Sequence, residues 1–356
     1  MSMGALVKIM LDFYKNKKVF ITGHTGFKGT WLCRILLNAG AQITGYALQP
    51  PTNPSLFNQT KTENEIHSII NDIRNRETLL NSVKNEKPDI IFHMASQPIV
   101  RLSYREPAET YETNVMGTVN ILEVLRLTSS VKSFINITTD KVYENKEWHW
   151  GYRENENLCG FDPYSNSKSC SELVTYSYRN SFFTKNNSTA ISTARSGNVI
   201  GGGDYAQDRI IPDCIRAVIS GNEIIIRNPR STRPYQHVLE CLSGYLLLAE
   251  KQYNDKSIQG AFNFGPDNES CVTTENLARL FCEAWGQDAR FRIQGDGGPH
   301  EANFLKLDCS KAKAVLAWKP VWDIKTAVEK TVEFAKTKSD DEKLICINNQ
   351  IKEYFN

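Results

Sequence analysis

Residues 17–29, KKVFITGHTGFKG, decide how the rest of the chain is read. The first half is short, apolar and β-branched, the composition of a buried strand. The second half sets glycines at 23, 26 and 29, where the strand gives way to a helical pattern over residues 27–39. The first glycine allows a tight turn, the second lets backbone approach a pyrophosphate, and the third lets helix and strand pack closely. The helix N-terminus adds free N–H groups and a partial positive charge. Gly23, His24, Thr25, Gly26, Phe27, Lys28 and Gly29 are therefore the first candidates for holding a dinucleotide. His24 is bulky where pyrophosphate should pass, so it is expected to weaken cofactor binding or rearrange the loop.

Outward from this loop, strands and helices alternate. Strand-like runs stand at 41–48, 66–73, 88–96, 132–139 and 188–201, with helical periodicity at 76–86, 107–127 and from 164 to at least 178. Strands without polar alternation, separated by helices, predict an α/β fold with a doubly wound parallel sheet. After residue 201 the pattern shifts to a Gly-rich polar stretch and short mixed segments. These comprise helices near 210–219, 239–251 and 274–285 and strands at 223–228, 260–266 and 290–295. The expected organisation is a dinucleotide-binding unit at 13–200 and a smaller mixed α/β substrate lobe at 201–340, with the chain recrossing between them. Past residue 336 the chain is charged and yields no reading.

Composition excludes several classes. With 356 residues the chain is long enough for a sizeable core. Lys+Arg is 42 against Asp+Glu 40, a net charge of +2 with no basic run, so neither nucleic acid nor an anionic membrane is expected as partner. No apolar stretch is long enough to span a bilayer, and the N-terminal residues lack the pattern of a secretory signal. Nine cysteines without C-x-x-C fit free thiols in a reducing, cytoplasmic setting. The six histidines do not cluster at ligand spacing, so no metal is expected.

The chemistry is concentrated at two places. In NITTDKVYEN, residues 136–145, a buried strand ends in a hydroxyl, a carboxylate and an amine: Thr139, Asp140 and Lys141. In DPYSNSKSCSE, Tyr164 and Lys168 are four apart and share a helix face. A nearby ammonium favours tyrosinate and pulls the phenol below its ordinary value, giving a base for a sugar or alcohol hydroxyl. Asp72 and Ile73 end the third strand and Ala95 and Ser96 the fourth, where further cofactor contacts are expected. The acidic residue that would select a ribose 2′-hydroxyl is missing after GYALQPP, and so is an arginine for a 2′-phosphate. The rule therefore does not choose NAD over NADP. His93, in an apolar strand, reads as a core histidine.

Together the glycine loop, HMASQP, NVMGTVNILE, Thr139 and the Tyr164/Lys168 pair resemble the extended short-chain dehydrogenase/reductase family, whose core is a Rossmann sheet. Longer stretches, among them GYALQPPTNPSLF, TTDKVYEN, ARSGNVIGGGDYAQDRIIPD and HEANFLKLDCSKA, are similar to its CDP-glucose 4,6-dehydratases. Tyr205 and Tyr235 stand where that group usually has Trp. The resemblance implies NAD as cofactor, CDP-glucose as substrate and hydro-lyase chemistry. In that chemistry Tyr164 deprotonates the 4-hydroxyl as hydride leaves C4, Asp140 is the acid for the 6-hydroxyl, and Lys141 is the C5 base or its helper. It implies substrate contacts from Asn198 and Arg233, with Arg233 on the pyrophosphate. Arg209 is a second candidate, and Gln97 follows the fourth strand, where substrate groups gather in such sheets. Glu301 follows a Gly-rich turn that either closes over the substrate or is a capped loop. The resemblance also implies a homodimer built on helices 107–127 and 164–179, and a deoxysugar route to polysaccharide. A dehydratase of another nucleotide sugar, or a nucleotide-sugar 4-epimerase, remains open at this level. A surface ion pair of Arg209 with Asp208 or Asp213 is as compatible with the sequence as ligand binding.

Overall fold

The computed structural model describes residues 11–185, 188–286, 289–295 and 304–356. A seven-stranded parallel sheet carries the fold. Its strands are β1 (Lys18–Thr22), β2 (Gln42–Ala47), β3 (His67–Ile70), β4 (Ile90–His93), β5 (Ser133–Ile137), β6 (Ala190–Ser196) and, far along the chain, β11 (Ala261–Phe264). The order is β11-β6-β5-β4-β1-β2-β3. Every residue of β4, β5 and β6 is buried, as expected of parallel strands covered on both faces. The winding reverses between β1 and β4, so a crevice opens beyond their carboxyl ends.

Apolar clusters lie on both sides of the sheet. One packs Trp31, Leu32 and Ile35 against Leu242, Tyr245 and Leu246; the other packs Leu79, Val83, Ile121 and Leu125 against Phe20 and Phe134. A third cluster, including Ile211, Ile226, Leu277 and Phe281, is the core of the smaller lobe. That lobe is built on β7 (Val199–Ile200), β8 (Ile224–Ile226), β9 (Thr232–Arg233), β10 (Gln236–His237), β12 (Val272–Thr273) and β13 (Phe291–Ile293), which pair two by two.

Four features differ from the sequence reading. The run 188–201 is two strands, because β7 leaves the main sheet after Gly197 and Asn198 to pair with β10. The run 260–266 is not part of the smaller lobe: β11 pairs with β6, and the Val238–Asn254 helix before it covers the sheet. The helical run 107–127 is interrupted by a π turn at Glu112–Met116. Finally, the charged tail contains a helix, Asp340–Phe355, started by a capping box between Ser339 and Glu342. It buries Cys346, Ile347, Ile351, Tyr354 and Phe355. Glu240 anchors this end: its carboxylate accepts from the N–H groups of Val321 and Trp322 and from Tyr354 OH.

Candidate active site

The glycine loop closes over the end of β1 as its spacing requires. Gly23 has φ +79°, in the left-handed region that glycine adopts freely. A Cβ there would stand 2.8 Å from the backbone of Met94 and Ala95, and at Gly29 one would stand 2.2 Å from the Gly23 carbonyl oxygen. At Gly26 the nearest atom is 3.5 Å from such a Cβ. The first and third glycines are thus demanded by packing, while the second leaves bare backbone on the wall of the crevice. This cradle fits a dinucleotide pyrophosphate.

His24 corrects the expectation drawn for it. Its side chain does not border the crevice but turns under the loop, fully buried. Nε2 lies 2.7 Å from Ser68 Oγ, and the ring stands edge-on to Phe57. Gly45 makes the room, since a Cβ there would meet the ring at 2.3 Å. Burial holds the imidazole at a pKa of about 4, so it is neutral at physiological pH.

The crevice is a cavity of about 2320 Å³ that runs from this loop into the smaller lobe. Thr25, Phe27, Lys28, Asp72, Ile73, Ala95 and Ser96 border its near half. Asp72 is held by Arg74 at 2.6 Å, and that hydrogen-bonded pair keeps its carboxyl below the usual range. His93 is the core residue expected, with Nδ1 2.8 Å from Thr22 Oγ1.

Thr139, Lys141, Tyr164 and Lys168 meet on the far wall. Thr139 ends the run after β5 and caps the turn Asp140–Val142. Asp162 caps the Pro163–Phe182 helix, which presents Tyr164 and Lys168 one turn apart. Thr139 Oγ1 donates to Asp140 Oδ1 at 3.0 Å, and Lys141 Nζ is 3.6 Å from the same oxygen. Asp140 itself is fully buried behind Thr139 and does not border the cavity; its Oδ2 has no hydrogen-bond partner among the described residues. The Asp140 side chain therefore reaches the cavity through its neighbours, contrary to the direct contact expected.

The Tyr–Lys pair also departs from expectation. Burial pushes Tyr164 up to about 12, with Asp140 adding to the rise, while a hydrogen bond to Thr139 and the charge of Arg209 oppose it. Lys168 does not offset this. Its Nζ donates to the Ile137 carbonyl at 3.2 Å. Burial, then Lys28, bring it down to about 7. The arrangement links a phenol, a hydroxyl and a buried carboxylate, with two amines alongside.

Of the substrate candidates, Asn198, Arg209 and Arg233 border the cavity and Gln97 does not. Gln97 is used up in bracing the loop after β4: its Nε2 donates to Thr110 Oγ1 and the Ile99 carbonyl, and its Oε1 accepts from Ile99 N. Asn198 Oδ1 accepts from Lys141 Nζ at 3.4 Å. Arg209 pairs with Asp204 at 2.8 Å rather than with Asp208 or Asp213. Glu301 lies outside the described residues.

Sequence reasoning missed Glu172, four residues beyond Lys168. It receives both arms of Arg195 and the hydroxyls of Thr138 and Thr193. Extending the Tyr–Lys spacing by one more turn would have found it. It also missed Ser196, whose Oγ accepts from Lys28 Nζ at 3.2 Å.

The family model for GDP-mannose 4,6 dehydratase matches residues 20–331. The chain belongs to this family. It is therefore one of the extended short-chain dehydrogenase/reductases. A curated family relative, CDP-glucose 4,6-dehydratase of Salmonella typhimurium, is 48% identical over 350 residues, covering 97% of this chain and 98% of that one. The family fold recurs in solved structures. An epimerase from Methanothermobacter thermautotrophicus superposes with TM-score 0.80 at 20% identity, over 93% of this chain and 96% of that one. The dTDP-glucose 4,6-dehydratase of Bacillus anthracis, solved with NAD, gives 0.75 at 19% identity, over 89% and 96%.

Proposed function

We propose that the protein dehydrates CDP-glucose to CDP-4-keto-6-deoxyglucose with NAD as recycled cofactor. The observation that carries the reading is the Thr139–Asp140–Lys141 turn and Tyr164 on one wall of the cavity that the glycine loop opens into. An epimerase needs a hydroxyl and the Tyr–Lys pair; the extra carboxylate and amine suit an elimination across C5 and C6. The 48% identity to a CDP-glucose 4,6-dehydratase supports the nucleotide and the sugar.

NAD, when bound, supplies hydride acceptance at C4 and hydride return at C6. Gly23, Gly26 and Gly29 would hold its pyrophosphate. Tyr164 takes the proton of the 4-hydroxyl as tyrosinate, the form that burial disfavours and that the cationic ring of bound NAD+ would favour. The resulting 4-ketone acidifies the C5 hydrogen, which Lys141 removes. Asp140 supplies the proton for the departing 6-hydroxyl through Thr139, whose hydroxyl is 3.0 Å away and borders the cavity. Lys141 then gives its proton back to C5, and the proton held by Tyr164 passes through Thr139 to Asp140, which resets all three groups. Arg233 and Arg209 bind the diphosphate and Asn198 the sugar side, with the guanidinium fork suited to phosphate oxygens.

The same proposal includes a cytoplasmic homodimer. The helices at Gly117–Arg126 and Pro163–Phe182 and their ends expose Met116, Leu127, Leu173, Tyr176 and Phe182, an apolar face suited to a second copy. No described helix is long and apolar enough to cross a membrane, and all nine cysteines are free thiols.

The test is incubation with CDP-glucose, with and without added NAD, followed by mass and NMR analysis. Loss of one water with a C4 ketone and a C6 methyl is expected. An unchanged mass with inverted C4 would replace this reading with an epimerase. Dehydration of a different nucleotide sugar alone would leave the chemistry and remove the cytidine.

A further inference from the structure

Lys28 is the one cation inside the glycine stretch, and its side chain does not follow the loop's backbone. The loop's donors face the phosphate end of the crevice, at the N-terminus of the Phe27–Asn38 helix. The Lys28 amine instead reaches Ser196, the last residue of β6, at 3.2 Å. In the sheet β6 lies three strands from β1, past β4 and β5. Ser196 is itself fixed from behind, its Oγ 2.6 Å from Tyr245 OH. Lys28 therefore extends along the floor of the cavity to the end where Thr139, Tyr164 and Lys168 meet, and it borders the cavity there. Its charged neighbours are those of the reacting groups: Arg209, Asp140, Lys141 and Lys168.

A cation at this place does little for a pyrophosphate at the other end of the loop. It matters to whatever changes charge between the loop and Tyr164. The nicotinamide ring does so: it is cationic when oxidised and neutral when reduced. Charge beside a cofactor ring is one of the ways a protein tunes its electronics. We propose that Lys28 sets the redox balance of a nicotinamide bound in this cavity, disfavouring the oxidised ring and favouring the reduced one. The inference rests on the reading that the cavity takes NAD. It gives the hydride drawn from C4 a stable home while water is eliminated.

The test is a pair of dissociation constants, for NAD+ and for NADH, by titration calorimetry on wild type, Lys28→Met and Lys28→Arg. The adenosine and diphosphate are common to both nucleotides, so a phosphate-binding or merely structural lysine changes both constants by the same factor. The proposal expects wild type to prefer NADH, Lys28→Met to shrink that preference by roughly tenfold or more, and Lys28→Arg to keep it. Because the ratio is internal to each variant, a partly unfolded sample does not mimic the result. An unchanged ratio in Lys28→Met overturns the inference and leaves the NAD reading standing. A wild-type protein that binds neither nucleotide overturns the NAD reading itself.

Discussion

Glu172 and Arg195 form a two-armed ion pair, 2.8 Å on each arm, directly behind the strand end that carries Thr139. Both side chains are 3% exposed. Glu172 stands on the same helix face as Tyr164 and Lys168 and also receives the hydroxyl of Thr138. One carboxylate thus ties the Tyr–Lys helix to the Thr139–Lys141 turn. Removing either partner leaves a buried charge alone, which costs about 3–5 kcal/mol. Arg195→Met is expected to lower stability by that amount in a denaturant titration. Glu172→Gln, which keeps shape and some hydrogen bonds, should lose less stability yet reduce kcat more than KM. A kcat unchanged in Glu172→Gln would show that the pair is only structural.

Tyr164→Phe removes the phenolic oxygen and nothing else. General base catalysis is worth roughly 10²–10⁴ in rate. A loss of that size in kcat is expected, with binding of the nucleotide sugar and the melting temperature nearly unchanged. A variant that keeps more than a tenth of the wild-type rate would remove Tyr164 from the mechanism.

The three loop glycines separate fold from binding. Gly29→Ala would set a methyl 2.2 Å from a backbone oxygen, so the protein should lose stability or fail to accumulate. Gly26→Ala meets nothing closer than 3.5 Å and should melt close to wild type. Its methyl would nonetheless stand where a pyrophosphate approaches, so NAD affinity should fall. Equal NAD affinity in wild type and Gly26→Ala would place the phosphates elsewhere.

Glu240 gives stability a pH dependence. Burial raises its pKa to about 7, against hydrogen bonds from Trp322, Tyr354 and Val321 that favour the charged form. The folded state then holds a proton that the unfolded chain has lost, over the window from about 4.5 to 7. Stability from this group is complete below that window and declines as pH rises through it. Glu240→Gln should flatten this part of the curve in thermal melts from pH 4.5 to 7.5. A wild-type slope retained in the variant would assign the dependence to another group.

How much could be read beforehand follows from how local each feature is. The β–α alternation was legible because the strands read as β-branched runs without regular polar alternation, and the helices at 76–86 and 274–285 carry their own caps at Asn75 and Thr273. The strand at 260–266 was legible but its place in the main sheet was not, because nothing within Ala261–Phe264 names its partner, β6. The last helix was missed although positions 346, 347, 351, 354 and 355 already form an apolar stripe within charged surroundings. Site residues were legible where a motif fixes them to an element's end, as with Thr139, Tyr164 and Lys168. Side-chain direction was not: Gln97 turns away because Asn114, on the interrupted helix, holds its backbone N–H and carbonyl. His24 turns under because Gly45, a strand away, leaves space.

The late arrival of β11 has a consequence for synthesis. When β6 has emerged from the ribosome, its outer edge is open, and the strand that covers it follows only about 65 residues later. At about 5–20 residues per second that is roughly 3–13 s of nascent chain with one edge of a strand unpaired. A fragment stopped near residue 200 would hold this state permanently. It should be captured by chaperones or precipitate, while a chain extended through the Val238–Asn254 helix and β11 should come off soluble.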